Sequence, residues 1–295
     1  NFKKYLNKKN DNNIHIYLFL FSLVILFYST IYVLSFLKVV NFWSYSQSFM
    51  SYSEGFIKRG MFGTLIIFFE NIFSITPRTF FSSFYVFFYT LNIFLFFSLI
   101  KKYSKNILLL VFLALCPTLI MFPFNDLGGY QRLDVLSITA ILFHSLLVEK
   151  FYKNKITIHK YKKTLFFLLF PFIFISILFH EIQLISLPFH FFLTLQVTGE
   201  KFTDTIKKYI LFLLPLFLIL FVYPDKNSLN ELADNVNDRG IWMDAFLFHS
   251  KNIGIDHYLY EFKTNLLIAY NFKIHLSMIL LAIMPFYFIL YFLDK

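Results

Sequence analysis

The stretch from Thr164 to Thr198 reads TLFFLLFPFIFISILFHEIQLISLPFHFFLTLQVT, and its only ionisable side chains are His180, Glu181 and His190. It divides into two apolar runs, 164–180 and 182–198, that meet at His180-Glu181 with almost no loop between them. Each run is close to the roughly 17–25 residues that cross ~30 Å of hydrocarbon as a helix. A soluble core has no use for two such runs back to back. The pattern is that of a membrane hairpin.

The rest of the chain repeats it. Apolar runs at 15–38, 79–100, 106–122, 134–149, 209–224 and 272–293 bring the expected number of spans to about eight. Composition agrees, with 58% hydrophobic and 15% charged residues and a mean hydropathy of +0.64. A soluble domain is nearer half apolar and about a quarter charged, and this chain has too little polar surface to cover its Phe, Leu and Ile. The expected fold is an all-α integral membrane protein, one polytopic domain over 1–295 with a long extracytoplasmic loop at 225–271. The single cysteine, Cys116, lies in an apolar run, so no disulfide framework exists. The first apolar run is too long for a cleavable signal peptide and lacks a small-residue cleavage site. The chain begins without Met and ends just past an apolar run at Lys295, as a piece of a longer protein would.

One segment decides the orientation. Residues 61–77 (MFGTLIIFFENIFSITP) are apolar but carry Glu70 and Asn71 and end at Pro77. If they do not cross, sixteen lysines fall on the cytoplasmic side: four before the first span and twelve at 101–105, 150–163 and 201–208. If they cross, those twelve move outside. The excess of Lys and Arg on cytoplasmic loops therefore favours a non-crossing, juxtamembrane helix at 61–77 and a cytoplasmic N-terminus. The net charge of +10 is then explained by lysines facing anionic head groups, and nucleic acid is not expected as a partner.

This topology gathers the chemically useful residues on the non-cytoplasmic face. The first outer loop offers Glu54, Lys58 and Arg59 among aromatics, with Gly55 and Gly60 on either side of the pair. The second (FPFNDLGGYQRLDVLS) offers Asp126, Arg132 and Asp134. The third is the turn at His180-Glu181. The fourth, 225–271, holds Asp238, Arg239, Trp242, Asp244, His249, Asp256 and His257. Each has a plainer reading. Glu54 can be a solvated loop residue, Lys58 and Arg59 can be interfacial anchors, and Asp134 can cap a helix. His180-Glu181 can close a hairpin, although ionisable groups at a membrane boundary usually face a cavity or a partner. His144, His190 and His275 fall within spans, where an interhelical hydrogen bond is the usual role. Metal-ligand, nucleotide-loop and nucleophile-elbow motifs are absent, and neither a metal nor a cofactor is expected.

Acidic and basic groups converging at a membrane surface suit the binding of a lipid-linked phosphate beside an activated hydroxyl. The layout resembles the C-type glycosyltransferase superfamily, membrane enzymes that use polyprenyl-phosphate sugar donors. Those enzymes carry a catalytic acid in the first outer loop, helices lying along the membrane, and often a second acidic cluster between spans three and four. Glu54, the segment 61–77, and Asp126 with Asp134 occupy the matching places, so the likeness covers residues 10–150 by layout. The chain departs from the pattern in having one Glu followed by Lys58-Arg59 rather than paired acids, and fewer spans. The resemblance implies Glu54, Asp126 and Asp134 as catalytic groups, Lys58, Arg59 and Arg132 as phosphate ligands, and His180 and Glu181 as cavity lining. It implies a lipid-linked sugar donor, a surface-glycan or lipid-linked acceptor, and residence in a bacterial inner (plasma) membrane. Three alternatives stay open: an O-antigen or capsule polysaccharide polymerase, a transporter, and a non-catalytic subunit with partners in a membrane complex.

Overall fold

The computed structural model describes residues 20, 23–24, 49–54, 60–100, 133–222 and 226–237. The expected spans at 106–122 and 272–293, and nearly all of 15–38, lie outside the described residues. Everything described is helix, turn or loop, with no strand among the described residues. The chain divides into two compact units, one of residues 1–39, 90–130 and 258–295, the other of 40–89 and 131–257. In the first, the described part is residues 90–100 and the helical residues Leu20, Leu23 and Val24. The second holds all the geometry below.

Eight helices are described: α1 (Gly60–Phe73), α2 (Pro77–Ile100), α3 (Val135–Tyr152), α4 (Ile158–Phe179), α5 (Leu187–Thr198), α6 (Phe202–Tyr209), α7 (Leu213–Phe221) and α8 (Lys226–Asn237). Three of them, α2, α3 and α4, are long and apolar enough to cross a membrane. At 1.5 Å per residue, α1 is only about 21 Å long, short of the ~30 Å of a hydrocarbon core.

Two expected spans differ from simple helices. The run 182–198 is a 3₁₀ turn, Glu181–Ser186, followed by α5, and the run at 209–224 is a 3₁₀ turn, Ile210–Phe212, followed by α7. Proline explains both. Pro188 stands in the first turn of α5 and Pro215 in the first turn of α7. Neither has an N–H for an α bond to the fourth residue before it, so the chain ahead tightens instead. Pro171, also without an N–H, stands beside a wider turn inside α4, where the Phe170 N–H reaches back five residues to the Leu165 carbonyl and makes a π turn over Leu165–Leu169.

The described helices depart from a soluble bundle, exposing many large apolar side chains while holding several polar ones inside a mostly apolar core. Phe87, Phe94, Phe167 and Phe192 are exposed, while Ser82, Thr139, Ser176 and Thr194 are buried. A lipid surround would give no gain in hiding Phe and would turn polar side chains inward to find partners. What Phe does inside is pack: Phe62, fully buried, lies 4.8 Å from Phe84, 5.4 Å from Phe179 and 6.0 Å from Phe80 by ring centroid. Such aromatic pairs each add ~0.5–1.5 kcal/mol beyond area burial. They fix α1 against the start of α2 and the end of α4.

The lysines share the opposite end. Glu200, just past the αL glycine that ends α5 (Gly199, φ 61°), accepts from Lys162 at 2.8 Å and from Lys208. The loops at 150–163 and 199–208 are thereby tied together. Burial acts to raise the Glu200 carboxyl, and hydrogen bonds from Lys162 and Lys208 outweigh it, holding the group below the usual carboxylate range.

Candidate functional site

At the other end of α3 and α4, three of the singled-out residues come together. His180 ends α4: its N–H still bonds the Ser176 carbonyl at 2.9 Å while its own backbone is extended. The chain then turns through Glu181–Ser186, with His180 Nδ1 3.9 Å from the Glu181 carboxylate. Both side chains are largely buried, at 8% and 14% exposure. At that distance the imidazole and the carboxylate are beyond direct hydrogen-bond reach but close enough for their charges to interact.

Gln183, two residues further on and 2% exposed, joins this turn to α3. Its Nε2 donates to the Leu133 carbonyl at 3.0 Å, and its Oε1 accepts from the Ser137 hydroxyl. Asp134 lies between those two anchors. Asp134 occupies the N-cap position of α3, but its backbone is already helical and its side chain makes no capping bond. The capping expectation fails because the turn at Leu133–Asp134 starts the helix by backbone bonds alone, Leu136 N–H to Leu133 O at 3.0 Å and Ile138 N–H to Asp134 O at 3.3 Å.

The first outer loop is attached to the same end. Tyr52–Glu54 forms a 3₁₀ turn that packs on α1 and on α8. The Tyr52 N–H donates to Thr64 Oγ1 at 2.9 Å, and Thr64 Oγ1 donates to the Gly60 carbonyl at 2.8 Å. Gly63 lets the loop lie directly on the helix, since a Cβ there would stand 1.9 Å from the Met50 carbonyl oxygen. Burial pushes the Tyr52 phenol up to about 12, against a smaller opposing effect of a hydrogen bond with the Met61 backbone. Phe62, one residue before Gly63, packs on Phe179, one residue before His180. The turn bearing Glu54 and the pair His180-Glu181 are therefore linked through α1, by the approach of Met50 to Gly63 and the Phe62–Phe179 contact. Lys58, Arg59, Asp126 and Arg132 lie outside the described residues, as do the singled-out residues of the fourth loop from Asp238 onward.

A second polar cluster, in the interior, was only half legible in the sequence. His144 Nδ1 and His190 Nδ1 are 2.9 Å apart, and His144 Nε2 is 2.7 Å from the Tyr161 hydroxyl. Thr194 Oγ1 donates to the His190 carbonyl at 2.9 Å and lies 2.9 Å from the Tyr209 hydroxyl. The expectation of interhelical bonds holds for His144 and His190, while His275 lies outside the described residues. Tyr161, Thr194, Tyr209 and Gln183 were not singled out; the signal was a polar residue inside an apolar run, one helical turn after another in the case of His190 and Thr194. Among the described residues no group of three or more His, Cys, Asp or Glu is placed to hold a metal.

Comparison with protein-family models, with curated proteins and with solved structures finds no match to this chain.

Proposed function

We propose that this protein is an integral membrane glycosyltransferase, moving a sugar from a polyprenyl-phosphate-type lipid donor to a surface-glycan or lipid-linked acceptor. The supporting observation is the gathering of the Glu54 turn, Asp134 and His180-Glu181 at the end of α3 and α4 opposite Lys162, Glu200 and Lys208. With lysines on the cytoplasmic side, that end faces away from the cytoplasm, where lipid-linked sugars meet surface acceptors. In this reading about eight helices span a bacterial inner membrane, the N-terminus is cytoplasmic, and α1 lies at the outer interface.

Glu54 accepts the proton of the acceptor hydroxyl as its oxygen attacks the anomeric carbon. The bond from that carbon to the phosphate oxygen breaks, and its electron pair leaves on the phosphate. Lys58, Arg59 and Arg132 neutralise that developing charge. Asp126 and Asp134 orient the acceptor or the cations, and His180-Glu181 line the cavity floor. α8, packed on the Glu54 turn, covers the site and selects the acceptor.

The test is transfer from a radiolabelled polyprenyl-phosphate sugar by the full chain in proteoliposomes, with wild type beside Glu54→Gln. Transfer that disappears in the variant at unchanged protein level supports the assignment. Transfer that survives removes Glu54 from the chemistry. Absence of transfer by folded protein across a broad donor panel turns the assignment towards a polysaccharide polymerase or a non-catalytic subunit.

A further inference from the structure

Residues 149–163 and 200–208, at the lysine end of the described helices, hold nine lysines against three carboxylates, Glu149, Glu200 and Asp204. Each carboxylate is taken. Glu149 pairs with Lys153, Glu200 with Lys162 and Lys208, and Asp204 with Lys207 at 3.8 Å. Lys150, Lys155, Lys160, Lys163 and Lys201 are all exposed, and among the described residues no carboxylate pairs with any of them. Glu200 holds the two segments side by side, since it bridges Lys162 of α4 and Lys208 of α6. The uncompensated positive charge is thus gathered at one end.

Its depth follows from what comes next along the helices. On α4, Lys163 stands one turn before Phe166 and Phe167, both exposed, and no charged residue occurs from there to Phe179. On α6, Lys207 stands one turn before the exposed Ile210 and Leu211. One turn is about 5 Å of rise. The head-group layer is of similar thickness, about 5–8 Å on each side of ~30 Å of hydrocarbon. With Phe166 and Ile210 at the hydrocarbon edge, the neighbouring lysines stand among lipid phosphates. Phe202 and Ile206, also exposed, interleave with Lys201 and Lys207 along α6. An acidic soluble partner would meet the lysines from the water side and leave these apolar groups uncovered. A bilayer covers both together.

We propose that Lys150, Lys155, Lys160, Lys163 and Lys201 form a collar that binds the phosphate groups of anionic phospholipids, in the leaflet at this end of the helices. An excess of lysine sets orientation whichever lysines supply it. Binding lipid is more selective, because a lysine already sharing a carboxylate has little charge left to offer. The Lys162–Glu200–Lys208 bridge is therefore the scaffold of the collar and not part of its ligand set. Lysine suits the task, being a compact charge on a flexible stem that can follow a mobile head group. Each lysine held near an anionic surface multiplies the attraction on the order of five-fold. The attraction fades with salt, as the screening length falls from ~10 Å at 0.1 M to ~3 Å at 1 M. The collar stands apart from sugar transfer, and the experiment below reads no turnover.

Electron spin resonance of spin-labelled lipids, with the full chain in phosphatidylcholine vesicles, tests this. The fraction of labelled phosphatidylglycerol immobilised by the protein is compared with that of labelled phosphatidylcholine. Wild type is expected to hold phosphatidylglycerol several-fold more strongly at ~0.1 M salt and to lose most of that preference at ~1 M. Replacing the five collar lysines by Gln should bring the ratio close to one, and replacing them by Arg should keep it. Lys160→Gln and Lys163→Gln should each lower it alone. Glu149→Gln combined with Lys153→Gln removes a compensated pair and should leave the ratio unchanged. Thermal unfolding checks that each variant is folded. A preference that survives the five Gln substitutions overturns the proposal, as does one that falls equally with the Glu149 and Lys153 pair. A wild-type ratio of one also overturns it, and polyglutamate then held from solution by the same lysines would assign the surface to an acidic soluble partner.

Discussion

The side-chain amide of Gln183 is bonded to the backbone carbonyl of Leu133 across fifty residues of sequence, at 3.0 Å. That carbonyl already accepts from Leu136 N–H, so both of its lone pairs are used, one to start α3 and one to hold the turn after α4. With the Ser137 bond, the contact sets where Asp134 lies relative to His180-Glu181. Interhelical side-chain bonds in membrane proteins average ~0.6 kcal/mol. Gln183→Leu, which loses both, is expected to lower stability by about 1 kcal/mol and sugar transfer by considerably more than that loss explains. Thermal unfolding and transfer measured on one preparation check this. Equal activity in the variant would mean the two loops need no such register.

Gly63 is expected to tolerate no side chain. Its Cβ would meet three backbone atoms of the first outer loop, Met50 O at 1.9 Å, Met50 C at 2.6 Å and Phe49 C at 2.9 Å. None is the free end of a flexible side chain, so the loop itself must move. Gly63→Ala should cost ~1–3 kcal/mol, as overpacking does. Limited proteolysis should then cut at 49–54 several times faster than in wild type. A cleavage rate matching wild type would show that the loop does not rest on α1.

Which parts of this were legible beforehand follows from what each pattern depends on. The helical, membrane-compatible character followed from run length and composition, which need no tertiary information; α2 and α3 match 79–100 and 134–149 within three residues, and α4 contains nearly all of 164–180 but starts six residues earlier, at Ile158. The broken helices at 182–198 and 209–224 were signalled by Pro188 and Pro215. Hydropathy averages over a proline and so misses the backbone bond it removes. Asp134 has the residue type of a helix cap, yet capping depends on a non-helical backbone that the turn at Leu133 does not supply. His180-Glu181 stood out by charge. Gln183 did not, because a neutral amide changes a hydropathy profile little while its two bonds join distant segments.

Tyr52 provides a test at alkaline pH. Burial raises its phenol from 10.0 to about 12 in the folded protein, so folding favours the neutral form. The stabilisation is complete below the unfolded value and is lost as pH rises between the two. The loop carrying Glu54 is therefore expected to loosen across that window, read as faster proteolysis at 49–54. Tyr52→Phe, which cannot ionise, should show a smaller rise. An identical rise in the variant would place the alkaline effect elsewhere.

Glu200 gives the opposite sign at the other end of the helices. Burial acts to raise its carboxyl, but the bonds from Lys162 and Lys208 prevail and hold it below the value of a free carboxylate. A lowered folded value means stability that is full above the unfolded pKa and fades as pH falls through the folded one. Its side chain is 19% exposed, so water and salt screen the pair and Glu200→Gln should cost less than ~1 kcal/mol at neutral pH. Most of that difference should vanish in high salt, and all of it at a pH where wild-type Glu200 is protonated. Unfolding of wild type and Glu200→Gln, compared at neutral and acid pH, reads the bridge directly. A gap that persists in acid would mean that Glu200 acts by packing its stem against its neighbours and not by holding two lysines together.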